Sequence, residues 1–400
     1  MPKKREETYI LLSSLCENCY WYPETSIRRI GILRRGCVTT IVARAQDEFL
    51  YDENGKRYLN FAESTNVLGH RNPEVMRVIK RYLEDGFIHY PLTISFPRIA
   101  ERVIEKMQRI SGIDQGGYVF TSSGSEACDV AVSVMSDLGP VITVEGGYPG
   151  NAGQFIRKKV TDRSIYGYDF EIPFPSSDSV LSSIEAMIRR GAKSIMLEPL
   201  QVEGGLRKVY DSFLSDIRRN FPELIICVDE CYTGFGKTGR FFSYQWFNVN
   251  PDIVVVGKAI GGGLPLGLTI MDDDVKKRSS ISGIFRNGAF GSSAGNILAL
   301  NVADYVISVV SAKDFLKGVE LKGELFDSIL GDKFRKRMRG MGLIRGIGFD
   351  STAQASEFSS LILNKGIFAT PMSDAIRISP PLNINEDNLS TGIKEIESSL

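Results

Sequence analysis

Apolar residues change their spacing twice along this chain, and the changes divide it into regions. In LGHRNPEVMRVIKRYLEDG the pattern predicts a helix that Asn72 caps, with Pro73 in its first turn and Gly86 beyond its end. Ile99, Val103, Ile104, Met107 and Ile110 then mark one face of a second helix, closed by Gly112. From Gly117 onward, short unbroken apolar runs alternate with turns and helical stretches. They predict strands over 118–120, 141–144, 194–197, 224–228, 253–256 and 268–271, and helices up to about 138, over 179–190 and over 211–219. Unbroken runs suit strands buried on both faces of a parallel sheet, so the expectation is a doubly wound α/β domain.

The flanks read differently. Residues 1–38 are irregular apart from a short helix near 9–15. Small strands follow over 39–62, with a hairpin turn at Asp52-Glu53-Asn54-Gly55, because Asn-Gly accepts positive φ. Helices over 294–310 and 313–329 lead into a smaller α+β unit with strands over 341–349 and 375–378, a helix over 355–364 and a last helix capped by Asn385. The expected division is an N-terminal segment, 1–55, packing with the small domain, a large domain, 56–280, and a C-terminal small domain, 281–400.

Lys plus Arg equals Asp plus Glu at 48 each, so no charge bias points to nucleic acid or a membrane surface. No run approaches the ~18 apolar residues of a membrane-spanning helix. MPKKREETYILLSSLCENC mixes acids into a short apolar run and makes a poor signal peptide, so a cytoplasmic protein is expected. Cys16 and Cys19 form a lone CxxC, with a redox pair, a metal site shared across a dimer and two semi-buried thiols as its readings. Cys128, Cys227 and Cys231 fall in core or active-site text. No protein metal site is expected.

The densest chemistry lies in LIICVDECYTGFGKTGRFFSYQWFNVNPDIVVVGKAIGGG, residues 224–263. Its first apolar run ends in Asp229 and its second in Gly257-Lys258, so an acid and an amine reach one rim of one sheet. Parallel sheets place their ligands beyond that rim. A structural ion pair is the plain alternative. Gly236-Lys237-Thr238 invites a phosphate-loop reading, but the glycine required five residues earlier is Cys231. A glycine and hydroxyls open the helix at Thr121-Ser122-Ser123-Gly124-Ser125-Glu126-Ala127, where free N–H groups and the positive dipole end suit a phosphate.

DECYTGFGKTG, a PDIV strand and GKAIGGGLPLG together resemble the signature of the class III aminotransferases, pyridoxal-phosphate (PLP) enzymes of the aspartate aminotransferase fold type, fold type I. The resemblance implies a large domain with a mostly parallel, seven-stranded sheet between helices, plus a small α+β domain. It implies that Lys258 holds PLP as a Schiff base and that Asp229 faces the pyridine nitrogen, keeping the ring an effective electron sink. The amine must be nucleophilic and then serve as acid and base.

Further matches follow the same family. SGSEA assigns Gly124 and Ser125 to the phosphate. Tyr148 matches an aromatic that stacks on the ring, with Pro149 where the family has histidine. The run from Glu198 to Gly205 resembles EPxQxEGG, placing Glu198 and Glu203 in the substrate region. Ser292 stands where the family's threonine reaches the phosphate of the neighbouring subunit, which implies a homodimer with shared sites. AIRISPPL resembles xxRxxPPL, whose arginine, here Arg377, grips a substrate carboxylate, with Glu203 as its partner when the site is empty. Asp229-Glu230-Cys231-Tyr232 departs from Asp-Glu-Val-Gln. Cys231 is expected against the ring face, and Tyr232 is expected to donate to the cofactor's phenolic oxygen. Gly261–Gly263 leaves room for backbone near the cofactor.

The expected activity moves an amino group from an amino acid or ω-amino acid donor to a keto acid or aldehyde acceptor, one of them carboxylate-bearing. A racemase, an aminomutase or a decarboxylase shares the same opening chemistry. A binding protein without activity would not need the Lys258 amine.

Overall fold

The computed structural model describes residues 42–85, 94–113, 115–150, 169–280, 290–330 and 336–400, with Leu92, Gly288 and Phe334. The expected helix at 9–15 and the Cys16–Cys19 pair lie outside the described residues. A sheet of seven strands dominates: β1 Gly117–Thr121, β2 Val141–Val144, β3 Phe170–Ile172, β4 Ser194–Leu197, β5 Ile225–Asp229, β6 Ile253–Val256 and β7 Gly267–Met271. Their spatial order is β1-β7-β6-β5-β4-β2-β3. β5 runs parallel to β4 and β6, and β2 runs parallel to β3 and β4. Only β7 is reversed, antiparallel to β1 and β6.

Every residue of β4, β5, β6 and β7 is buried, which explains why these strands lack polar alternation. Strand parity still sorts their side chains. Ile226, Val228, Val254 and Val256 join one core, while Ile225, Cys227, Ile253 and Val255 join a second one. The second core includes Ala127, Cys128, Ala131 and Met135 from a helix that follows β1 and spans Gly124–Leu138. Period two therefore places Asp229, like Ile225 and Cys227, on the side of that helix.

The helices take their expected places. Pro73–Glu84, α1, is capped by Asn72, whose side chain accepts from Glu74 and Val75 N–H. Arg98–Ser111, α2, ends at Gly112 in the left-handed region. Gly124–Leu138 is α3. Ile297–Val310, α4, is apolar around most of its circumference because it packs on α1, α2 and the turn that begins at Lys258. No helix among the described residues is long and apolar enough to cross a membrane.

Strands Val42–Gln46, Phe49–Asp52 and Arg57–Asn60 form an antiparallel meander that Ile367–Phe368 joins in parallel. A further antiparallel sheet runs Met338–Met341, Ile344–Gly348, Ala375–Ile378, Thr370–Met372. The single strand expected over 341–349 is thus a hairpin. Its first strand hides in charged text because the Arg339 fork is satisfied by both oxygens of Asp374 at 2.7 Å. Ala375–Ile378 is paired on both edges, which fixes the strand carrying Arg377.

Candidate active site

Two neighbouring parallel strands deliver the acid and the amine. β5 ends in Asp229, whose backbone pairs with Val255 of β6, and Lys258 follows β6 after Gly257. Asp229 is buried. Its Oδ1 accepts the Cys231 N–H at 2.8 Å, and its Oδ2 accepts the Cys128 thiol at 3.3 Å. Those two donors fix the carboxylate plane. Lys258 opens a 3-10 turn with φ +45°, in the left-handed region. A non-glycine residue there costs roughly 1–2 kcal/mol, so the packing around it must hold it.

The start of α3 is pressed against that turn. A methyl group on Gly257 would fall 2.7 Å from Gly124 Cα, and one on Gly124 would fall 2.8 Å from Cys231 Sγ. Only two glycines let these backbones touch. Ser123 caps α3 by accepting the Glu126 N–H at 3.2 Å. Ser125 lies under Gly150, where a methyl group would fall 2.3 Å from the Ser125 Oγ.

Asp229 lines a cleft of about 440 Å³, partly open to solvent, together with Thr143, Tyr148, Met196, Glu198 and Gln201. Glu198 Oε1 accepts the Tyr148 N–H at 2.8 Å. Gln201 Nε2 donates to the Glu145 carbonyl at 2.9 Å, and Arg207 donates to that carbonyl and to Gln201 Oε1. Glu198 and Gln201 therefore anchor the turn that presents Tyr148. Burial, and then the charge of Asp229, push the Glu198 carboxyl well above the usual range. Sequence reasoning gave Gln201 no role, although it lies inside the EPxQxEGG match.

Three basic side chains gather around the ring of Tyr232. Lys237 Nζ stands 4.2 Å from its ring centroid, Arg377 Cζ 4.6 Å and Lys258 Nζ 5.1 Å. The phenol donates to the Glu63 carbonyl at 3.3 Å, so the ring rather than the hydroxyl addresses Lys258. Arg377 Nη1 donates to Glu203 Oε1 at 3.3 Å, both side chains being nearly enclosed. Burial raises the Glu203 carboxyl although Arg377 opposes the shift.

Lys237 follows the glycines of a loop that lacks the phosphate-binding spacing, and its amine turns inward. It is fully buried and donates to the Ser64 carbonyl at 2.6 Å. Burial, then the charge of Lys258, pull its ammonium well below the usual range. The Ser64 turn is itself built on Glu63, whose Oε1 accepts N–H groups of Ser64, Thr65 and Asn66. The glycine run packs on this turn and on α4. A methyl on Gly263 would meet Asn66 Oδ1 at 2.4 Å, and one on Gly262 would meet Val302 at 2.7 Å. Cys128 and Lys237 went unassigned because their partners, Asp229 and Ser64, are remote in sequence, and Glu63 was passed over although its partners are its neighbours. Ser292 is exposed, just before α4.

The donor set fits PLP. It offers an amine, a buried carboxylate held by two donors, an α-helix start on a glycine contact, and an aromatic beside a cleft that opens to solvent. Comparison with known proteins gives the same answer. The family profile described as aminotransferase class-III matches residues 33–400. Acetylornithine aminotransferase of Agrobacterium fabrum is 30% identical over 383 residues, covering 89% of this chain and 92% of that protein. The protein of that name from Methanopyrus kandleri is 28% identical over 366 residues, covering 88% and 92%. The crystal structure of ornithine aminotransferase from Toxoplasma gondii superposes with TM-score 0.80 at 20% identity, covering 96% of this chain and 97% of that one. A PLP-bound amine transaminase from an uncultivated Pseudomonas species gives TM-score 0.79 at 20% identity, covering 96% and 98%. The chain belongs to the class-III aminotransferases and is a PLP-dependent enzyme of that family.

Proposed function

We propose that Lys258 is the amine that captures the PLP aldehyde, that Asp229 faces the ring nitrogen, and that Arg377 receives the carboxylate of the amino donor. The observation that most supports this is the delivery of Asp229 and Lys258 by adjacent parallel strands to one rim, with Asp229 lining the cleft. Bound PLP supplies the electron sink that lets a proton leave the substrate carbon. Lys258, partly exposed, then takes that proton and returns it one position away. Cys128 and Cys231 hold the Asp229 carboxylate in one orientation. Gly124 and Ser125 present the N–H groups of the α3 start to the phosphate. Cys231 lies under one ring face, and Glu198 steadies the turn that brings Tyr148 over the other. Tyr232 contributes its ring as a wall.

Arg377 and Glu203 sort substrates. Glu203 Oε2 and Arg377 Nε are both buried and have no hydrogen-bond partner among the described residues. A substrate carboxylate gives the guanidinium the two-pronged acceptor it lacks. The relatives named acetylornithine aminotransferase support a donor with an amine far from a carboxylate, passing its amino group to a keto acid.

A homodimer with shared sites completes this reading. Ser292 is exposed close to Phe290, which is 43% exposed, and Phe96 lies against Gly288. A second subunit would cover this edge and receive Ser292 at its phosphate. A cytoplasmic location is supported by three free thiols, Cys128, Cys227 and Cys231.

The test is a donor panel read by cofactor absorbance in single half-reactions. Carboxylate-bearing amino donors convert the bound cofactor to its amine form and a keto acceptor restores it. A racemase would not accumulate the amine form, and that outcome would overturn the transferase reading.

A further inference from the structure

Two sulfur atoms and one carboxylate oxygen, from Cys128, Cys231 and Asp229, lie within 4.8 Å of one another. The fold makes this grouping unavoidable. Strand parity turns Asp229 toward α3. Cys128 stands one helical turn after Gly124 and so shares its face. Cys231 folds back after β5, its N–H on Asp229 Oδ1, with its sulfur at the Gly124–Gly257 contact. All three side chains are buried. Cys231 stands where the family signature usually has valine, so the trio depends on a departure of this chain from that signature.

We infer that the cofactor-free protein binds a thiophilic divalent cation, of which zinc is the type, through Cys128, Cys231 and Asp229, and that this cation and PLP exclude each other. Zinc takes thiolate sulfur at about 2.3 Å and carboxylate oxygen at about 2.0–2.2 Å in tetrahedral geometry. Donors already this close need little side-chain movement to share one ion. Two sulfurs select against magnesium and calcium, which demand shells of oxygen. The fourth position opens toward the cleft that Asp229 lines, where water serves as ligand. On binding, each thiol gives its proton to solvent and two metal–sulfur bonds replace two S–H bonds. No electrons change hands, so no oxidant is needed. Exclusion rests on the proposed role of Asp229, because the metal occupies the carboxylate that the ring nitrogen requires. Metal availability would thereby gate cofactor loading.

The experiment uses the full chain stripped of cofactor and titrated with cadmium, reading the ultraviolet thiolate-to-metal band. Wild type should bind one more equivalent than Cys128→Ala or Cys231→Val. Cys227→Ala, a buried thiol on the same strand outside the trio, should keep that equivalent, and any metal on the Cys16–Cys19 pair adds equally to all. Cys231→Ser, nearly isosteric, guards against a packing effect and should lose the same equivalent. Equal stoichiometry in all proteins overturns the site and leaves the PLP role of Asp229 untouched. Zinc-loaded wild type should take up PLP at least about tenfold more slowly until a chelator is added, while Cys231→Val should not respond to zinc. Metal bound at the trio with unchanged PLP uptake overturns exclusion, and with it the facing of Asp229 to the ring.

Discussion

Arg377 and Glu203 meet at 3.3 Å across the site, yet one buried nitrogen of the first and one buried oxygen of the second have no partner among the described residues. Each such orphan costs about 1–3 kcal/mol, so the pair is poised to exchange its contact for a better one. Replacing Arg377 by Ala should lower kcat/KM for carboxylate-bearing donors by roughly 10²-fold or more, the usual cost of truncating a buried charge partner. Simple amines should lose far less. Steady-state kinetics with both donor types check this, and equal losses would remove the carboxylate role.

Glu230 supplies a pH test. It is fully enclosed, accepting from Thr233, Ser243 and the Tyr244 N–H, and burial raises its carboxyl to about 7 despite those donors. The folded state therefore holds this proton over a range where the unfolded chain has released it. Its contribution to stability is complete below the unfolded value and fades as pH rises through about 7. The term is on the order of 3 kcal/mol. Glu230→Gln should flatten the fall in Tm between about pH 5 and about pH 8 relative to wild type. An identical slope in both proteins would show that Glu230 titrates normally.

The Gly124–Gly257 contact predicts opposite signs for two glycine replacements. Gly257→Ala drives a methyl into Gly124 Cα at 2.7 Å and should cost about 1–3 kcal/mol while weakening PLP binding. Gly318→Ala, in the helix Lys313–Ile329 with nothing among the described residues within 4 Å of the added carbon, should raise Tm by the gain of up to about 1 kcal/mol in helix propensity. Thermal melts and PLP titrations of the two variants decide it.

Ser292→Ala should weaken PLP by about tenfold, the worth of one hydrogen bond to a charged group, and leave unphosphorylated pyridoxal unaffected. A dimer in sedimentation is part of the same expectation. Equal weakening of both ligands would place Ser292 away from the phosphate.

The strands that carry Asp229 and Lys258 were legible because unbroken apolar runs end in those residues, and burial on both faces leaves such runs no other use. Asn72, Gly112 and Asn385 were legible because capping chemistry is local. Cys128 was placed in core or active-site text without a partner because Asp229 lies 101 residues away. The same holds for Lys237, whose acceptor Ser64 is 173 residues away. The first strand of the Met338–Gly348 hairpin stayed hidden because Arg339 looks solvated until Asp374 is placed beside it. For Tyr232, spacing along the chain sets where the side chain starts, and the remote Glu63 carbonyl sets where its hydroxyl points.

Reductive trapping addresses the central claim most directly. The PLP-loaded protein is treated with borohydride, digested, and its peptides mapped by mass spectrometry. The account predicts a single pyridoxyl label on Lys258, absent in Lys258→Ala. A label on Lys237, whose amine stands 4.2 Å from the same Tyr232 ring, or on no lysine at all, would contradict it.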